Sequence, residues 1–156
     1  MALKTLFITA VTASHTSAKD SLGDIRHEDG KRYKYVKFVV ATVEPGDVVK
    51  YANLAGYDAS EVQPLATLAL AVAGVAMAAQ AINDFGWIQI GGRSGPLLVN
   101  ITDTPVLGDS VASSATTKAF KEHAGETAVY GTIVDLTASS SGPPIVGNVV
   151  LLNIPD

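Results

Sequence analysis

The sequence predicts a mainly β protein, a sandwich or barrel of short strands in one domain, and three observations carry that reading. Turn signals recur at short intervals, as in His27-Glu28-Asp29-Gly30, Glu44-Pro45-Gly46-Asp47, Asn83-Asp84-Phe85-Gly86, Leu107-Gly108-Asp109 and Ser139 to Pro144. Gly supplies positive φ and Pro presets a turn, so the chain is cut into pieces of strand length. The pieces between are rich in Val, Ile, Thr and aromatics, the residues that fit a pleated, half-buried surface. Finally, 156 residues is the length of one ordinary domain with one real core.

Taken in order, the start MALKTLFITAVTASHTSA imitates a signal peptide, but its apolar run from Leu6 to Val11 is interrupted by Thr9 and falls short of the roughly 7 to 15 residues expected. A β-prone arm over residues 1–21, followed by a β-rich domain over 22–156, is the expected organisation. Asp29-Gly30 predicts a hairpin turn. Strands are expected over Tyr33 to Val43, Trp87 to Ile90, Leu97 to Thr102, Ala128 to Leu136 and Ile145 to Ile154. Gly91 to Pro96 reads as a Gly-rich turn between two of them. Ala115 to His123 contains helix formers and is followed by Ala124-Gly125, a C-cap signal, so at most one short helix is expected. SSSGPP at 139–144 reads as a surface loop, and no internal repeat or second domain is evident.

The stretch LATLALAVAGVAMAAQAI, residues 65–82, carries no charge. As a helix it would rise about 27 Å, just short of the roughly 30 Å hydrocarbon core of a bilayer, and it contains Thr67, Gly74 and Gln80. Its nearest charges are Glu61 and Asp84, so the basic flank of a membrane segment is missing. Two non-spanning readings remain. Leu65, Leu68, Val72, Val75 and Ile82 make a helical stripe, whereas Leu68, Leu70 and Val72 alternate with Ala as in a strand, and the bulky phase switches after Gly74. Gly costs a helix roughly 1 kcal/mol but can mark a bulge in a strand, which accounts for the switch. Leu65 to Ala73 stays open between strand and helix.

Composition and motifs narrow the chemistry. A net charge of -4 and a pI near 5.2 argue against a partner bound through phosphate neutralisation. Charged residues make up only 17 %, which leaves a partly apolar surface suited to self-association. The chain has no cysteine, so disulfides, thiolate metal sites and a Cys nucleophile are excluded. His15, His27 and His123 lie in polar segments without a ligand spacing and read as solvent-exposed. Gly91-Gly92-Arg93-Ser94-Gly95 is neither GxSxG nor a phosphate-binding P-loop. Asp24, Glu28 and Asp29 lack the spacing of a calcium loop. Gly30 to Phe38 interleaves bases with aromatics, with Lys31, Tyr33, Tyr35 and Lys37 on one strand face, but the acids nearby leave little local excess of charge. A charged edge strand or a protein-contact surface is the expectation there.

Several of these pieces taken in order resemble a known family. Leu22-Gly23-Asp24, then Asp29-Gly30-Lys31-Arg32-Tyr33-Lys34-Tyr35-Val36, Glu44-Pro45-Gly46-Asp47-Val48-Val49, Ala73-Gly74-Val75-Ala76, Phe85-Gly86-Trp87-Ile88-Gln89-Ile90-Gly91-Gly92 and Gly108-Asp109 before a closing apolar strand resemble the capsid decoration (head-stabilising, cementing) proteins of tailed bacteriophages. The most specific piece is Ala-Gly-Val-Ala followed by the aromatic-Gly-Trp-Ile-Gln strand and its Gly pair. The resemblance implies a small β-barrel or β-tulip-like domain with an extended N-terminal arm. It implies a homotrimer on the outer surface of the mature virion head, made in the host cytoplasm, whose partner is the major capsid protein. It further implies no enzymatic activity, no cofactor and no metal, and neither nucleic acid nor membrane is an expected partner.

In that picture Leu3, Lys4, Leu6, Phe7, Ile8 and Val11 form the capsid-contact arm, adding a strand to an exposed sheet edge. Tyr33, Tyr35 and Trp87 are the candidate trimer interface, with a plain core role next to Gly86 as the competing reading of Trp87. The alternative function is a carbohydrate- or ligand-binding β module of a phage fibre or attachment protein, with Tyr33, Tyr35, Tyr51, Tyr57 and Trp87 as the platform. A hydrolase using Ser94 with a His and an Asp is the third reading.

Overall fold

The structure is a computed structural model, described for residues 9–52, 61–65, 72–93, 99–101, 106–108, 110–113, 120–122, 129–136 and 145–154. Twelve strands are seen: β1 (Ser14–His15), β2 (Ile25–Glu28), β3 (Lys31–Phe38), β4 (Val48–Tyr51), β5 (Glu61–Pro64), β6 (Val72–Ala76), β7 (Phe85–Arg93), β8 (Val99–Ile101), β9 (Ser110–Ser113), β10 (Phe120–Glu122), β11 (Gly131–Leu136) and β12 (Ile145–Asn153). The mainly β, small-barrel expectation holds. No helix occurs among the described residues.

Strands β3 to β7 close a five-stranded barrel. β3 pairs with β5 in parallel, β5 with β4, β4 with β6, β6 with β7, and β7 with β3, the last four antiparallel. Closure removes the unpaired edges that would otherwise recruit other chains. Along β3 the side chains alternate, so Val36 and Phe38 enter the main core with Val48, Val49, Val62, Val75, Ile88 and Ile90, while Tyr33 and Tyr35 join Trp87 and Met77 in a second cluster. The β3–β7 pair is thus buried on both faces.

Two of the expected turns are formed as Gly and Asp predict. Asp29 and Gly30 take φ of 49° and 73° in the β2–β3 hairpin, in which Glu28 faces Lys31. Gly46 takes φ of 92°, and the Asp47 carboxylate closes its turn by accepting the Glu44 N–H at 2.8 Å. The phase switch at Gly74 is a β-bulge. Val49 faces Gly74, but the next residue, Lys50, faces Val72, which leaves Ala73 as the extra residue. A side chain at Gly74 would also bring its Cβ to 2.8 Å from the Gln89 carbonyl. Val72 to Ala76 is therefore strand. Leu65 follows β5 with its N–H on the Val48 carbonyl, and residues 66–71 lie outside the described residues.

Two expectations are corrected. The helix over Ala115 to His123 is not formed at Phe120 to Glu122, which is β10, pairing β9 on one side and β8 on the other. Cross-strand pairing here overrides the local preference for helix. Gly91, Gly92 and Arg93 do not turn but extend β7, where Gly91 to Arg93 pair with Asn153 to Leu151 of β12. The remaining strands extend this barrel architecture. β8 pairs β10 in parallel, β10 pairs β9, β9 pairs β11, β11 pairs β12 and β12 pairs β8, so the second half of the chain closes a ring of its own. Val111, Tyr130, Leu152 and Ile154 from that half belong to the same hydrophobic cluster as the first barrel, which makes one continuous core.

Candidate functional site

The N-terminal segment fixes what the candidate residues can do. From Thr9 onward the chain lies along the outside of the β3–β7 pair, with β1 paired antiparallel to β7, Ser14 facing Gly86 and His15 facing Phe85. Gly86 has no side chain because there is no room for one. A Cβ there would strike the Gln80 amide and approach the Ala13 carbonyl to 3.2 Å. The aromatic-Gly-Trp pattern is thus the imprint of a second layer on the strand.

Under that layer sits Trp87, fully buried, its ring 5.1 Å from that of Tyr35 and tilted by 58°. The indole N–H donates to Thr9 Oγ1 at 2.8 Å, and the Thr9 hydroxyl in turn donates to the Asp20 carboxylate. Arg26 Nη1 donates to the Thr9 carbonyl at 2.7 Å, and its guanidinium lies 5.9 Å from the Trp87 ring centre and 2.9 Å from Glu28 Oε2. Tyr35 is held by both backbone and side chain. Its hydroxyl accepts the Lys19 N–H at 3.2 Å, its carbonyl accepts the Gly23 N–H and its N–H donates to the Asp24 carbonyl. Burial pushes the Tyr35 phenol up, partly offset by the Lys19 N–H, and burial with the nearby Glu28 and Asp29 does the same for Tyr33.

These contacts decide the sequence-derived candidates. Tyr33, Tyr35 and Trp87 are brought together, but inside one chain, at 4 %, 0 % and 0 % exposure. They form no exposed trimer face, because residues 9–24 supply the cover that a neighbouring protomer would have supplied. Three members of the aromatic platform named for the carbohydrate- or ligand-binding alternative are therefore buried. Of its other members, Tyr51 is half-buried with its hydroxyl 3.3 Å from Lys34 Nζ, and Tyr57 lies outside the described residues.

Of the arm candidates, Val11 packs against the Trp87 cluster, so the arm drawn over 1–21 is docked on its own domain from Thr9 onward. Leu3, Lys4, Leu6, Phe7 and Ile8 lie outside the described residues. His15 is not solvent-exposed as expected: its Nε2 is buried without a hydrogen-bond partner, as is Gln80 Oε1. His27 is exposed, and His123 and Ser94 are outside the described residues. No group of three His, Cys, Asp or Glu among the described residues is placed to hold a metal ion. No helix among them is long and apolar enough to cross a membrane.

What sequence reading missed is the set of exposed apolar side chains. Val40 and Ile82 are 54 % and 49 % exposed on two loops joined by the Phe38–Asp84 and Phe38–Asn83 backbone bonds and the Val43–Gln80 bridge, at one end of the first barrel. Val106 and Leu107 are 59 % and 63 % exposed on the turn before β9. An isolated Val or Leu in a turn carries no periodic signal, so only the structure separates these from core residues.

No protein-family model matches the chain, and neither a curated protein nor a solved structure matches it.

Proposed function

We propose that the chain is a non-enzymatic structural protein that binds the outside of a mature phage capsid as a homotrimer and cements neighbouring major capsid protein subunits. The observation that carries this reading is the resemblance in motif order, whose two most specific pieces lie on adjacent strands with Tyr35 facing Trp87. The exposed apolar side chains at loops and turns support it. Val40, Ile82, Val106 and Leu107 suit contact with a protein lattice, now that Tyr33, Tyr35 and Trp87 are committed to the interior. Binding only the expanded shell would stabilise it by mass action, and trimer avidity would multiply weak sites without any chemistry.

Thr9 is anchored, so a capsid-contact arm consists of residues 2–8, with Leu3, Lys4, Leu6, Phe7 and Ile8 as its contacts. The test mixes purified protein with expanded and unexpanded heads and measures co-sedimentation and solution mass. A trimer that binds expanded heads, and loses binding but not its fold when residues 2–8 are deleted, is the expected result. A monomer that ignores both shells ends the proposal.

A further inference from the structure

The two rings have the same topology strand for strand. Read β3 to β7 against β8 to β12, and each pairing recurs with the same direction: the parallel β3–β5 pair as β8–β10, and β4–β5, β4–β6, β6–β7 and β3–β7 as β9–β10, β9–β11, β11–β12 and β8–β12.

The registers agree at the pairs that follow, while the β-bulges fall at different places in the two rings. Align Gly46-Asp47-Val48-Val49 with Gly108-Asp109-Ser110-Val111, two turns whose glycines share a φ of 92°. Val48 then faces Val75 and Val49 faces Gly74 in the first ring, where Ser110 faces Thr132 and Val111 faces Gly131 in the second. Across the other edge, Val49–Pro64 and Tyr51–Val62 correspond to Val111–Glu122 and Ser113–Phe120. The parallel contact Phe38–Val62 corresponds to Ile101–Phe120, and the closing contact Val36–Gly86 to Val99–Asn148. The residues that bear the equivalence are sparse in sequence: Val36-x-Phe38 and Val99-x-Ile101, Gly-Asp-x-Val twice, and Ala71-Val72-x-Gly74 and Ala128-Val129-x-Gly131.

The same correspondence fixes how the rings meet. Val75–Gln89 matches Thr132–Leu151, so Gly91 corresponds to Asn153. In the antiparallel β7–β12 contact Gly91 faces Asn153, its own counterpart. On one side Gly92 faces Leu152, the counterpart of Ile90. On the other, the Ile154 N–H donates to the Ile90 carbonyl at 3.0 Å, and Ile154 is the counterpart of Gly92. If residue i meets j′ and j meets i′, the contact is isologous, as in a two-fold dimer.

We infer that the chain is two copies of one five-stranded unit, joined through a self-complementary β7–β12 surface whose partner is a second copy of the same unit, supplied here within one chain. The segment before β3, with β1 and β2, has no counterpart, since β7 ends at Arg93 and β8 begins at Val99. The Trp87 cover is therefore an addition to the first copy alone. The inference does not depend on capsid binding.

It is tested on the full chain, which has no cysteine of its own. An experimentally determined structure should superpose strands β3 to β7 on β8 to β12 by a two-fold rotation about the Gly91–Asn153 pair. In solution, the Ser110→Cys/Thr132→Cys double variant should close an intramolecular disulfide on mild oxidation, and so should its counterpart Val48→Cys/Val75→Cys. A second half with another strand order or a rotation far from two-fold overturns the inference, and so does a Ser110/Thr132 pair that stays reduced while the Val48/Val75 pair closes.

Discussion

Trp87 and Thr9 are joined by a hydrogen bond of 2.8 Å from the indole N–H to the hydroxyl oxygen, in the interior, which ties the N-terminal segment to the barrel strand β7. The bond lets a fully buried indole keep its polar edge satisfied, and through the Thr9 hydroxyl it also satisfies Asp20. It makes residues 9–24 part of the domain rather than a tether to it.

Replacing Thr9 with Val keeps the shape but leaves the Trp87 N–H without its acceptor and Asp20 without the Thr9 donor. The expected loss is about 1–3 kcal/mol, the cost of stranding a buried donor. Urea unfolding followed by the emission of Trp87, the chain's one tryptophan, measures it. A Thr9→Ser variant should stay near the parent, and a Val variant equally stable would mean that the segment is held by packing alone.

Gly92 is required twice over. Its φ is 83°, and a Cβ would lie 2.5 Å from the Gly30 carbonyl oxygen and 2.9 Å from the Lys31 Cα, neither of which is a flexible side chain. Gly30 has a similar φ of 73° with nothing within 4 Å of its missing Cβ. Gly30→Ala should cost about 1–2 kcal/mol, the backbone penalty alone. Gly92→Ala adds a steric clash and should lower the melting temperature clearly further. Equal losses for the two variants would show that the hairpin end yields freely.

Gln89 is buried, and its amide nitrogen lies 3.0, 3.3 and 3.1 Å from the carbonyls of Gly91, Gly92 and Arg93. The β3–β7 register slips at this point, Arg32 facing Gly91 and Tyr33 facing Gln89, so Ile90 is the bulged residue and the side chain supplies donors where the ladder is broken. Gln89→Leu, close in volume, should destabilise by about 1–3 kcal/mol through loss of the side-chain amide bonds to the end of β7. Faster amide exchange in β7 and β12 should accompany the loss, and unaltered exchange would contradict the role given to the amide.

Legibility from sequence divides along physical lines. The Asp29-Gly30 hairpin, the Glu44 to Asp47 turn and the Gly74 bulge were readable because each depends on a local backbone requirement that few residues meet. Tyr33, Tyr35 and Trp87 were readable as important but not as interior. Alternation puts Tyr33 and Tyr35 on one face of β3 with Lys31 and Lys37, which reads as a charged edge or a contact surface because the segment that covers that face is short, polar and distant in sequence. β10 has helix formers but is strand because three residues in a ring are held by their neighbours rather than by propensity. The second ring leaves little trace in the sequence because topology and register tolerate wide substitution, and only a few Gly, Asp and Val positions repeat.

Alkaline pH should unfold the chain through its buried phenols. Tyr33, Tyr35 and Tyr130 are each raised above the ordinary tyrosine value of 10.0, in every case chiefly by burial. A raised folded-state value means that the native protein holds its protons more tightly than the unfolded chain. Their contribution to stability is then fully present below pH about 10 and is lost as pH rises through the folded-state values. Absorbance titration of tyrosinate should show these phenols released late, together with a change in Trp87 emission. Tyr35→Phe removes one of the three groups and should flatten the alkaline fall in stability while sacrificing the bond from the Lys19 N–H. An alkaline limb of unchanged steepness in Tyr35→Phe would place the pH sensitivity elsewhere.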